Sequence, residues 1–197
     1  MNVAGLPFEL RWLSPPVSFE HGDEWLRIEA GPQTDWFVDP GRQHAPVATG
    51  PALVGRPDCD YMLSARVTVD FAATFDAGVL MLHADHSTWA KLCFELSPDG
   101  RPMIVSVVTR GVSDDCNSFA ADGESVWLRI ARLGPASAFH ASTDGRRWEL
   151  VRHFSLGESA EPAIGFEAQS PTGQGCIVKF DQVRFDARRL ADLRSGD

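Results

Sequence analysis

The feature that most constrains this chain is a period of two. In DYMLSARVTVDF, Tyr61, Leu63, Ala65, Val67, Val69 and Phe71 alternate with Met62, Ser64, Arg66, Thr68 and Asp70, the pattern of a strand that buries one face. Shorter runs follow at 75–83, 88–96, 103–110, 126–133, 136–142, 147–154, 163–169 and 176–185, separated by Gly, Pro, Asp or Ser. Strands of that length and spacing predict an all-β, two-sheet antiparallel β-sandwich. With 197 residues, 44% of them hydrophobic, the chain can bury one sizeable core, so residues 1–197 are read as a single domain. Two hairpin turns are explicit, Asp99-Gly100 and Asp144-Gly145, where glycine supplies the positive φ of a tight turn. The N-terminal part, broken by Pro7, Pro15, Pro16, Pro32, Pro40 and Pro46, is expected to wrap the sandwich without long strands. The tail from Ala187 to Asp197 is expected to be a short helix or frayed.

Charge removes several function classes. A net charge of -9 and a pI near 5.1 repel a phosphate backbone, and no basic stripe offsets them, so nucleic acid is not an expected partner. No apolar run approaches the roughly 18 residues of a membrane span. The start, MNVAGLPFELRW, lacks the basic end and apolar centre of a signal peptide. No membrane partner and a cytoplasmic location are the expectation. Cys59, Cys93, Cys116 and Cys176 are scattered without Cys-x-x-Cys spacing and read as free thiols, with Cys93 packed inside a strand.

Chemistry concentrates around 83–96. Along a strand, Trp89, Lys91, Cys93 and Glu95 share one face, while Leu92, Phe94 and Leu96 face the core. Lys91 and Glu95 lie about 13 Å apart along the strand, too far to pair directly, so each must meet water, a ligand or a neighbouring strand. His83, Asp85 and His86 precede Trp89. A register aligning His83 with Lys91 would gather a Trp, a Lys, a His and carboxylates on one surface, and a slip of one residue would turn His83 into the core. The His-x-Asp-His string hints at a metal, but His21, His44, His140 and His153 are dispersed, so neither metal nor cofactor is expected. No Gly-x-Ser-x-Gly elbow and no phosphate-cradling loop occur, and GQG at 173–175 reads as a turn. The Glu-x-Asp-x-Glu string of retaining glucanases is also absent, and Glu95 could meet Glu167 only across neighbouring strands. Of the tryptophans 12, 25, 36, 89, 127 and 148, Trp89 looks placed to stack on a sugar ring, as does Trp36 beside Asp35 and Asp39.

The strings DAGVLMLHAD, STWAKLCFEL, VSVVTRGVSDD, WLRIARLG, ASTDGRRWELVR and FEAQSPTGQG, in that order, resemble the regulation-of-enolase and YesU-like family across nearly the whole chain. The family's motifs fall on 76–78, 89–95, 107–109 with Ser113 and Asp114, 129–132, 142–148 and 170–175. The resemblance implies a concanavalin A-like jelly roll of the lectin/glucanase superfamily, with a curved sheet offering a groove, and no particular reaction. Two departures stand out: Asp115 occupies the position of a family tryptophan, and Thr34–Phe37 has a reshuffled order.

Together these observations lead to a non-catalytic, carbohydrate-binding-like module that takes an oligosaccharide. Trp89 is the expected stacking platform, Lys91 and Glu95 the expected partners of sugar hydroxyls, and His83, Asp85, Thr109, Asp114 and Glu167 the rim. Two other classes remain open: a glycoside-active enzyme using Glu95 with a second carboxylate, and an intracellular regulatory protein with a protein partner.

Overall fold

The computed structural model describes residues 1–3, 5–157 and 160–197. In chain order its strands are β1 (Arg11–Ser14), β2 (Ser18–Gly22), β3 (Trp25–Ala30), β4 (Trp36–Phe37), β5 (Val47–Ala48), β6 (Ala52–Gly55), β7 (Met62–Val69) and β8 (Ala77–Asp85). They continue with β9 (Thr88–Leu96), β10 (Pro102–Arg110), β11 (Val112–Ala120), β12 (Ser125–Leu133), β13 (Ala136–Ser142), β14 (Glu149–Phe154), β15 (Ala163–Gln169) and β16 (Cys176–Asp186). Two seven-stranded antiparallel sheets form, β1-β6-β15-β8-β9-β10-β11 and β14-β13-β12-β7-β16-β3-β2, with β4 and β5 as a separate pair. The fold is thus the predicted two-sheet antiparallel sandwich.

Alternation decides what lies between the sheets. Leu80, Leu82, Leu92, Phe94, Ile104, Ile164 and Phe166 from the first sheet meet Leu63, Val67, Leu128, Ile130, Phe139, Val178 and Phe180 from the second in one continuous core. The sheets approach so closely at Gly78 that a Cβ there would collide with Val67 and Val178. Gly100 and Gly145 adopt φ of 72° and 70°, as their turns require. All four cysteines are free, and Cys93 and Cys176 are buried.

One expectation is met only in part, one strand lies outside those the sequence predicts, and the expectation for the tail is corrected. The proline-broken N-terminal part holds no strand longer than six residues, as expected, but it does more than wrap the sandwich: β2 and β3 extend the second sheet, and β1 and β6 extend the first. In WLRIEA the buried positions Leu26, Ile28 and Ala30 alternate as in any half-buried strand, and no proline interrupts the run. The polar run VSDDCNSFA, which carries no strand signal, forms β11 because an edge strand can leave most side chains in water while its backbone pairs with β10. The tail is neither helical nor frayed: Leu190 is buried against Met62, Ala131 and Ala138, Arg129 donates to the Gly196 carbonyl, and His140 Nε2 lies 2.9 Å from the Leu193 carbonyl.

Candidate functional site

On the outer face of the first sheet, register brings odd-numbered side chains into rows. Met81, Lys91, Val107 and Asp115 form one row; Glu167, Val79, Cys93 and Val105 form the next; Gln169, Ala77, Glu95 and Met103 form a third. Most of this face is apolar and covered, and it makes a second small core with Trp36. The cover is the segment carrying β4 and β5. Trp36 plugs it down, with its indole donating to the Gly50 carbonyl at 2.8 Å and packing edge-on against Trp89 and His83 with centroids 5.4 Å apart. Beyond it, the Val38 N–H donates to Ser113 Oγ at 3.0 Å and the Ser113 N–H to the Val38 carbonyl at 2.9 Å.

Lys91 sits at the heart of this arrangement. Its ammonium donates to Asp35 Oδ1 at 2.8 Å and to Gln169 Oε1 at 2.7 Å, and its side chain is only 2% exposed. Burial alone would push its pKa down, but the charge and hydrogen bond of Asp35, with the charge that Glu167 carries in the alkaline range where a lysine titrates, outweigh burial and hold it above the ordinary lysine value. Glu95 and Glu167, by contrast, favour the neutral form. Burial pushes both Glu95 and Glu167 up to about 8, so at neutral pH they carry protons for most of the time. Glu167 is fully buried, and neither of its oxygens has a hydrogen-bond partner among the described residues.

Beside Lys91 opens a cavity of about 470 Å³. The sheet contributes Lys91, Glu95, Val107, Asp115 and Gln169; the β4–β5 segment contributes Asp35, Phe37, Asp39, His44, Ala45 and Val47; two loops add Phe75, Pro171 and Thr172. Asp39 folds its own loop by accepting the N–H groups of Gly41 at 2.7 Å, Gln43 at 2.8 Å and His44 at 3.2 Å. The Gln43 and Gly41 bonds hold its carboxyl below the usual range, so it is ionised. Polar groups with spare donors and acceptors, framed by aromatic and aliphatic walls, suit a polyhydroxylated ligand.

The expected site residues divide. Lys91 and Glu95 line the cavity, whereas Glu167 lies buried beside Lys91 without lining it. Trp89 is corrected: at 1% exposure under Trp36 its indole cannot serve as a stacking platform. His83 pairs with Trp89 rather than Lys91, a shift of two that keeps it on the outer face, but it packs on Trp36 away from the cavity, and burial lowers its pKa. Asp85 accepts the Ser87 N–H and hydroxyl in the exposed β8–β9 turn. Thr109 is buried, with its hydroxyl 2.8 Å from that of Ser113, and so supports the anchor of Val38. Asp114 points away and pairs with Arg152 at 2.9 Å, while its neighbour Asp115 faces the cavity. Asp35, Gln169, Phe37 and Phe75 were not foreseen. Gln169 shares the parity of Glu167 two residues on and could have been found; Asp35 and Phe37 reach the site only through the path of their segment.

Comparison with known proteins follows the same lines. The profile of the family described as "Protein of unknown function (DUF1349)" matches residues 12–188. Regulation of enolase protein 1 of Saccharomyces cerevisiae is 26% identical over 193 residues, covering 92% of this chain and 93% of that protein. The crystal structure of a functionally unknown protein from Saccharomyces cerevisiae superposes with a TM-score of 0.83 at 24% identity, covering 91% of this chain and 97% of the other. A variant of the GH43 protein BlXynB from Bacillus licheniformis superposes with a TM-score of 0.74 at 15% identity, over 91% of this chain and 37% of the longer one, a likeness of fold.

Proposed function

We propose, from the premise that this chain belongs to the DUF1349 family of proteins of unknown function, that the cavity beside Lys91 binds a saccharide without cleaving it. The observation that carries this is the fixed polar line at its base. Asp35 and Gln169 hold the Lys91 ammonium at 2.8 and 2.7 Å, while the Glu95 carboxyl lines the cavity beside it, and burial favours its neutral form, which offers both a donor and an acceptor. Sugar hydroxyls need that dual capacity, and the apolar walls suit the C–H faces of the ring. The fold shared with a GH43 protein agrees with this reading as analogy only.

Calorimetric titration of the full chain with a panel of oligosaccharides tests it. Saturable binding is expected, weakened several-fold by Glu95→Ala, whose removal leaves the Lys91 clasp in place. A flat titration with every sugar, together with unmoved amide resonances around the cavity, would remove the reading.

One observation favours a second reading. A carboxyl that keeps its proton to about pH 8, close to Asp35 and Asp115, is how a general acid is prepared. Reducing-end release from an oligosaccharide that disappears in Glu95→Gln would establish that enzyme. The regulatory reading has only the name of a relative behind it.

A further inference from the structure

Phe75 adopts a φ of 70°, a left-handed conformation that is a genuine outlier for a bulky side chain. Burial does not explain it, because Phe75 is 37% exposed. The backbone there is firmly held without help from the ring. The Phe75 N–H donates to the Leu96 carbonyl at 2.8 Å, and its own carbonyl accepts from Gln169 Nε2 at 3.2 Å. The Asp76 carboxylate accepts the Ala72 and Ala73 N–H groups at 2.9 and 2.8 Å, and the Thr172 hydroxyl donates to the Thr74 carbonyl at 2.6 Å. Glycine or asparagine would fit this backbone with less strain. The ring therefore occupies a strained position while facing the cavity, and strain of that kind collects where a side chain serves a ligand. Gln169 fixes both Phe75 and Lys91, which sets the ring at a defined position relative to the polar base.

We propose that Phe75 is the platform on which a sugar ring stacks, and that this ring carries no acidic group. The inference rests on the saccharide reading above and names its contact and its class. The cation of the cavity base is already matched by Asp35, and Asp39, held ionised by the N–H groups of its loop, adds negative charge to the walls, where Asp115, whose pKa burial raises, brings a further carboxyl. Among the described residues lining the cavity Lys91 is already paired and His44 is the other basic side chain, so a uronate carboxylate would enter mostly among like charges; a neutral pyranose or pentose meets no such repulsion.

The test titrates the full chain and its Phe75→Asn and Phe75→Trp variants with xylohexaose, cellohexaose and hexagalacturonate, and records the melting temperature of each variant. At least one neutral sugar is expected to bind. Phe75→Asn should weaken it roughly tenfold with the melting temperature unchanged or raised, while Phe75→Trp should retain it. Hexagalacturonate should not bind. Unchanged affinity in Phe75→Asn, or a loss of affinity that tracks a loss of stability, overturns the platform and leaves the saccharide reading standing. Comparable binding of hexagalacturonate overturns the assignment of a neutral ring. Failure of the wild-type chain to bind any of the sugars overturns the saccharide reading and this inference with it.

Discussion

At the residue scale, the site turns on how one cation divides its influence among several acids. Lys91 can match only one carboxylate fully, and the half-buried Asp35 takes that place at 2.8 Å. Glu167, buried with both oxygens unpartnered, and Glu95 beside the cavity lower their energy by keeping protons. Stability must follow. A carboxyl whose pKa rises from 4.5 in the unfolded chain to about 8 in the native one makes the native state bind the extra proton between those values. The stability that this proton provides is complete below pH 4.5 and is lost as pH rises to about 8. Each such group contributes a slope of about 1.4 kcal/mol per pH unit at most. Thermal melts of Glu167→Gln from pH 5 to 9 should show a shallower decline than wild type, with the variant gaining relative stability at the alkaline end. Parallel curves would mean that Glu167 is ionised throughout.

At the element scale, Asp76 explains why several short motifs matter although none is chemical. One carboxylate oxygen accepts the Ala72 and Ala73 N–H groups, and the other accepts the Ser170 hydroxyl at 2.6 Å, so the loop before β8 and the turn after β15 are tied together. Ser170 Oγ in turn accepts the Gly175 N–H at 3.2 Å. The motif strings at 76–78 and 170–175 are thus two halves of one structural joint, and that joint carries Phe75. Removing this buried acceptor leaves three donors without it. Asp76→Ala should cost about 3 kcal/mol in urea unfolding and weaken any sugar affinity through the displaced Phe75 loop. A variant as stable as wild type would show that the joint has no such role. The segment over the sheet is anchored in the same spirit by Thr109, Ser113 and Trp36, which is why Thr109 and Trp89 read as ligand contacts from their parity yet serve the anchor.

At the scale of the whole molecule, both outer faces of the sandwich are partly covered, by different means. The first sheet receives the β4–β5 segment and keeps a cavity beneath it; the second receives the tail, which closes over Met62, Ala131 and Ala138. Along one side, Arg152 reaches from β14 to Asp114 on β11, and Arg110 donates to the Ser155 carbonyl at 2.7 Å, so the edges of the two sheets are stitched together. The tail is part of the folded unit. Leu190→Ala should lower unfolding free energy by about 2 kcal/mol, the lower end for a buried leucine because the site lies at the surface and can partly collapse. No measurable change would place the tail outside the cooperative structure.

The alternation of side chains was enough to establish the sandwich, the strand at 88–96 and the company that Trp89, Lys91, Cys93 and Glu95 keep, because the side-chain direction of an extended backbone is a local property. It could not say that Trp89 is roofed while Glu95 lines a cavity, nor that Asp115 rather than Asp114 faces that cavity. Those outcomes depend on which strands are neighbours, in what register, and where a segment 56 residues upstream comes down to place Asp35 on Lys91. Such contacts join positions remote in the chain, and they are decided by packing the two sheets and their cover as a whole, so only the tertiary structure could supply them.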